Sequence, residues 1–267
     1  MVTALIRSKE LRKRRYPTLV LCLGFGDGLV SIGAILWLIN QITGSGSSIS
    51  CGISMCLLTV GVFMSVHVTF IICLNRYLTT LRSHMADKLY GTYRKFLLIF
   101  VPSTVITILT MASSLLWEEE VASCSIANVF GDQMPVYSIF LTAIYLPTLF
   151  ATVVVYVLTT RVVIRQFGRI DASNNGHFTL PDSSRKRKMT VLKTVGLILA
   201  CLLFLTTPLV VSFPLMLLNV SINQTVRVCF TWGVTINSAI NPIIYTCRIE
   251  EIRKDLKKTV LCFYKKD

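Results

Sequence analysis

Charge is what this sequence has least of. Only 15% of its 267 residues are Asp, Glu, Lys or Arg, against about 25% in a soluble globular chain, so water-compatible groups cannot cover a soluble surface. Histidine occurs three times. No His/Asp/Glu cluster, metal-ligand spacing or nucleophile elbow appears, so an enzyme is not expected. Residues 1–6 are too short for the apolar core of a signal peptide and run straight into Arg7. Internal repeats, low-complexity tracts and a soluble-domain boundary are also missing. Acidic residues number 13 against 27 Lys and Arg, for a net charge of +14, while 53% of the chain is hydrophobic and its mean hydropathy is +0.66. That pairing of apolarity and basicity does not fit a nucleic-acid binder. It fits a membrane protein whose basic residues sit at the water-facing ends of its helices.

What is there is a series of uncharged runs. Asp27 is the lone charge between Tyr16 and Asn40, and further runs free of Asp, Glu, Lys and Arg follow along the chain. About 20 apolar residues cross the hydrocarbon layer as a helix. The runs predict six spans at roughly 17–40, 50–75, 96–117, 134–160, 190–218 and 227–247, with Pro214 and the polar stretch from Asn219 to Thr225 marking the exit of the fifth. The chain reads as a single all-α membrane domain over residues 1–267.

The loops orient it. Basic residues number six before the first span, five in the second loop, eight in the fourth and seven in the tail, and Arg227 alone falls on the other side. Positive loops stay in the cytoplasm, so the N-terminus and the tail are placed inside. Two N-glycosylation acceptor patterns, at Asn219 and Asn223, lie in the loop assigned to the outside.

At the inner end of the second span stands Asn75-Arg76-Tyr77, and the last span ends in Asn237-Ser238-Ala239-Ile240-Asn241-Pro242-Ile243-Ile244-Tyr245, followed by a basic amphipathic segment at roughly 249–260. On these motifs and on the spans, nearly the whole chain resembles a rhodopsin-like (class A) G-protein-coupled receptor, a seven-helix bundle. Residues 1–15 resemble the inner end of that family's first helix and the first inner loop. The expectation is therefore a fragment, an incomplete gene model or a shortened isoform lacking most of one helix.

The resemblance implies several sites. Cys51, 25 residues before Arg76, and Cys124 match the family's outer disulfide, and both face an oxidising compartment. Asp27, the one acid inside a span, is a functional candidate on physical grounds alone; the family places it with Ser65, Asn237, Ser238 and Asn241 around a sodium ion, and a water-bridged network without an ion is the alternative. Arg76, Tyr77, Pro208, Pro242 and Tyr245 take the places of the switch and coupling residues. Heterotrimeric G protein, arrestin, membrane lipid and an extracellular ligand are the implied partners, with no cofactor beyond the sodium ion. Cys262 is a palmitoylation candidate. The remaining cysteines (22, 56, 73, 201, 229 and 247) read as small packing hydrophobes. His67 reads as a satisfied packing histidine, and Gly24, Gly26 and Gly28 as close-packing positions.

The departures are as informative. The family's acid before the arginine is Asn75, and the fifth span opens on Arg185-Lys186-Arg187-Lys188, so both usual electrostatic restraints are missing. Thr206 stands where an aromatic switch usually precedes Pro208. Tyr156 lies one residue late after Pro147, and the third span has only Trp117 at its far end. Leu58, seven residues after Cys51, replaces the carboxylate that biogenic-amine receptors use. Leu58, Thr59, Val62, Phe213, Trp232 and Thr235 are the pocket candidates, which leaves peptide, lipid and nucleoside-like ligands open. Rival readings are a six-span transporter or channel, for which Asp27 is the lone pathway residue on offer, and a truncated, non-signalling isoform.

Overall fold

The computed structural model describes residues 15–43, 48–81, 105, 124, 134–173, 182–218, 220 and 222–248. The third span apart from Val105, the tail segment, Cys262, Asn219 and Trp117 lie outside these residues. Six helical pieces make up the described chain: α1 (Arg15–Thr43), α2 (Ser48–Leu81), α3 (Met134–Ser173), α4 (Asp182–Cys201), α5 (Thr207–Leu217) and α6 (Gln224–Arg248). A π-helical turn, Leu202–Thr206, joins α4 to α5.

Four stretches among the described residues are long and apolar enough to cross a membrane: Leu19–Thr43, Ile49–Leu81, Pro135–Gln166 and Leu192–Leu215. The bundle is all-α. Its helices overrun the expected span limits, because α3 runs on to Ser173 and α4 begins at Asp182. An inner helix end can extend into water when its last turns carry Arg161 and Arg165, both exposed. The fifth span is also not one uniform helix. Pro208 has no N–H to return to the preceding turn, and the chain widens into the π-helical turn just before it.

Among the four apolar stretches α2 is the central one, with 67% of its apolar window buried against 17% for α3. Only four residues of sequence separate α1 from α2; the two pack side by side, and glycines let them close. A Cβ on Gly61 would sit 2.7 Å from the Gly26 carbonyl, and one on Gly33 would sit 2.9 Å from the Ser54 carbonyl. Gly26 itself faces Met64 Cβ at 3.1 Å. Gly28 does not serve this role, since nothing lies within 4 Å of its Cβ position; it falls outside the α1–α2 contact, where Gly33, seven residues on from Gly26, takes the second close approach.

Three buried apolar clusters fill the bundle. One, around Leu23, Phe63, Ile72 and Ile244, occupies the inner half. A second, around Val30, Met55, Leu58 and Phe213, lies beneath the disulfide. The third joins Val66, Tyr145, Leu199 and Leu202 across α2, α3, α4 and the π-helical turn. Cys56 and Cys73 pack in the first cluster, but Cys229 and Cys247 are exposed, contrary to the expectation that all six packed inward; they lie on the side of α6 turned away from the bundle.

Candidate functional site

Asp27 is buried, 3% exposed, in the middle of α1. Burying a charge in an apolar medium is costly without partners, and they come from α2 and α6. The Asn241 amide Nδ2 donates to Asp27 Oδ1 at 3.0 Å, and Ser65 Oγ on α2 donates to the same oxygen at 3.5 Å. Ser238 also approaches the carboxylate. Asn237, Ser238 and Asn241 are all buried on α6, where spacings of one and four residues keep them on a single polar flank. Three oxygens here have no hydrogen-bond partner: Asp27 Oδ2, Asn237 Oδ1 and Asn241 Oδ1. A buried set of one carboxylate oxygen and two amide oxygens, with serine hydroxyls beside them, suits a hard monovalent cation.

Pro242 follows directly in α6. It breaks the backbone hydrogen-bond ladder next to this polar group, so the helix can bend where its side chains are held. Tyr245 lies one turn further along the same helix.

Toward the outside, Cys51 and Cys124 are joined by a disulfide with Cα atoms 5.6 Å apart. Two side chains from α1 that the motifs did not flag hold the same point. Trp37 Nε1 donates to the Cys124 carbonyl at 3.0 Å, and Gln41 Nε2 donates to it as well. Below the disulfide, Leu58 and Phe213 are buried and Val62 packs against them. The Thr59 hydroxyl shares a 2.6 Å hydrogen bond with the Tyr137 hydroxyl, and the Tyr137 ring meets Phe213 edge-on at 6.3 Å. Tyr137 was missed in the sequence because a tyrosine near the start of an apolar span is an ordinary interfacial residue; only the fold brings it to Thr59.

The other pocket candidates are arranged differently. Trp232 is 44% exposed and shares its helix face with Ile236 and Ile243, which are exposed too. At spacings of four and eleven residues the three form one outward stripe, so Trp232 does not belong to the outer cluster. Thr235 is half-buried and donates to the Thr231 carbonyl in its own helix.

At the inner end of α2, Asn75 is buried with Oδ1 unpartnered, while Arg76 and Tyr77 are half-buried. An amide carries no charge to hold Arg76 in place. Gln166 Nε2 on α3 donates to the Thr80 carbonyl at 3.2 Å and ties the two inner ends together. The Tyr156 hydroxyl lies against Gly196 on α4, where a Cβ would collide with it. His67 departs from its expected role: it stacks on Phe63 with ring centroids 4.4 Å apart, but its Nδ1 is buried and without a partner. The two rings one turn apart fix its place, and no polar group among the described residues reaches the nitrogen. Asn223 is exposed and its Oδ1 accepts from Thr225 N–H at 2.9 Å, capping the start of α6.

Comparison with known proteins agrees with this architecture. The sequence pattern of the family described as 7 transmembrane receptor (rhodopsin family) matches residues 1–245. The chain is 26% identical over 212 residues to sphingosine 1-phosphate receptor 1 of Danio rerio, which covers 76% of this chain and 57% of that protein. It is 28% identical over 198 residues to lysophosphatidic acid receptor 1-B of Xenopus laevis, covering 72% of this chain and 51% of the relative. The chain thus spans about half the length of the relatives it matches. With the family pattern running through all the described helices, the chain belongs to the rhodopsin family of seven-transmembrane receptors.

Proposed function

We propose that this chain is the helical core of a G-protein-coupled receptor for an amphiphilic lipid, passing a signal from an outer ligand to a heterotrimeric G protein at its inner face. The observation that carries the reading is the Asp27–Asn241 hydrogen bond beside Pro242. It couples α1 to the one place where α6 can bend, so a ligand that prefers one helix arrangement shifts the population of the other end. Sodium held among Asp27, Ser65, Asn237, Ser238 and Asn241 stabilises one arrangement in this scheme, and the three unpartnered oxygens support that ion.

The ligand class rests on the outer cluster. Leu58 is buried and apolar where an amine ligand needs a carboxylate, and the relatives are named for sphingosine 1-phosphate and lysophosphatidic acid. An aliphatic chain suits the Leu58, Val62 and Phe213 surfaces, with the Thr59–Tyr137 pair as a polar mark. Plasma-membrane placement and glycosylation at Asn219 or Asn223 belong to the same reading, as do arrestin binding and palmitoylation of Cys262. The test is a panel of lysophospholipids and free fatty acids applied to cells that display the chain, reading G-protein subunit dissociation for every G-protein class. Activation by a lipid that Leu58→Asp abolishes supports the reading. Silence from surface-displayed protein with every class removes signalling and leaves the non-signalling isoform.

A further inference from the structure

Toward the inner face, Tyr156 on α3 meets Gly196 on α4. The tyrosine packs against two apolar clusters, the inner one and the one around Leu199 and Leu202. Its hydroxyl occupies the space where a side chain at position 196 would begin. A Cβ there would stand 2.9 Å from Tyr156 Cζ and 3.5 Å from Cε2, with the hydroxyl nearer still. Glycine weakens a helix interior relative to alanine, so Gly196 needs a reason to be there. The seat for Tyr156 supplies one.

Gly196 also lies on an arm that has a pivot. The π-helical turn Leu202–Thr206 and Pro208 interrupt the helical ladder outward of it. That turn is pinned to α6, where a Cβ on Gly233 would sit 2.7 Å from the Leu205 carbonyl. At 1.5 Å per residue the Gly196 seat is about 13 Å inward of Leu205, far enough for a small bend to open it. Charge on the two arms favours opening. Past Tyr156, α3 carries Arg161, Arg165 and Arg169 against Asp171, and α4 carries Arg185, Lys186, Arg187, Lys188 and Lys193 against Asp182. Like charge on the two inner ends opposes their approach. Meanwhile α3 is itself anchored to α2, through Gln166 Nε2 on the Thr80 carbonyl at 3.2 Å.

We infer that Tyr156 in the Gly196 seat is a steric latch, holding the inner arm of α4 against α3 and keeping the inner face closed. Its effect on G-protein access rests on the receptor reading; its geometry does not. The latch has a size signature. The hydroxyl is the far end of a flexible side chain, so a methyl group at position 196 displaces the tyrosine and leaves the backbone in place. Gly196→Ala therefore opens the latch while favouring the helix. Tyr156→Phe opens it from the other side by emptying the seat. Together the two changes put a methyl group where the hydroxyl was, and the latch closes again.

Distances across the inner face test it. Leu81 on α2 and Lys193 on α4 are both exposed. Spin labels at Leu81→Cys and Lys193→Cys, with Cys229, Cys247 and Cys262 replaced by serine, report the separation of the two helices in the full chain in phosphatidylcholine nanodiscs. With the latch intact the longer distance should be a minor population, roughly 10% or less. It should grow several-fold in Gly196→Ala and in Tyr156→Phe, and return toward its starting share in the double variant. An unchanged distribution in Gly196→Ala overturns the latch, as does a double variant no more closed than the singles. Should Gly196→Ala fail to fold, Tyr156→Phe alone decides: a larger long-distance share supports the latch and an unchanged one overturns it. Ligand-free G-protein activation on the same variants keeps the two readings apart. Distances that lengthen without activation support the latch and remove the signalling role; distances that stay fixed remove the latch whatever the activation.

Discussion

The Asn241 amide donates a 3.0 Å hydrogen bond to the Asp27 carboxylate across 214 residues of chain. This contact joins one of the first described helices to the last, and it does so where each is most polar. Replacing Asp27 by Asn leaves the size and most of the hydrogen bonding but removes the charge. The wild-type unfolding midpoint should rise when sodium chloride replaces choline chloride, by the equivalent of about 2.7 kcal/mol with sodium at a hundred times its dissociation constant. Asp27→Asn should flatten that response. A variant that keeps the full sodium response would place the ion elsewhere.

The disulfide and its two tethers separate cleanly. Cys124→Ser should cost about 2–5 kcal/mol and much of the correctly folded yield. Trp37→Phe keeps the bridge and the ring but loses the donor to the Cys124 carbonyl, so a loss of about 1 kcal/mol is expected. Thermal unfolding with and without reductant distinguishes them, because reductant should affect Trp37→Phe and leave Cys124→Ser unmoved.

For the Thr59–Tyr137 pair the expected pattern is a double-mutant cycle with a sign. Thr59→Val and Tyr137→Phe each remove one side of this bond, at about 1–3 kcal/mol. The double variant should recover most of that loss. Strict additivity in denaturation would mean that the 2.6 Å contact contributes nothing.

Much of this was legible from residue order, and the reasons are physical. A carboxylate in a run of apolar residues has no competing explanation as cheap as function, so Asp27 stands out. The uncharged runs mark α1, α2, α3 and the fifth span for the same reason, since nothing but lipid tolerates them in such number. Other features leave no local trace. Trp37 and Gln41 reach Cys124 across more than eighty residues, and an aromatic or amide near a span's outer end looks like any interfacial residue. The π-helical turn is silent as well: Leu202 to Thr206 is as apolar as the helix around it. Trp232 was misplaced because a pocket position depends on helix rotation, which α6's polar flank sets.

Gly233 marks the point where that silent turn meets α6. A Cβ there would stand 2.7 Å from the Leu205 carbonyl oxygen, a backbone atom that cannot swing aside. Gly233→Ala should therefore push α6 from the π-helical turn and cost about 1–3 kcal/mol. Gly28→Ala, with open space around its Cβ position, serves as the control and should be neutral or mildly stabilising. Equal effects at the two glycines would count against the close approach.

The polar flank of α6 also bears on how the protein is made. Asn237, Ser238 and Asn241 dilute its apolar surface, so α6 partitions into lipid less readily than α1 or α2. It is synthesised after them, and its best polar partner, Asp27, is already in the bilayer by then. Insertion of α6 should therefore draw on a companion made some two hundred residues earlier, which the Asp27–Asn241 bond supplies in the finished fold.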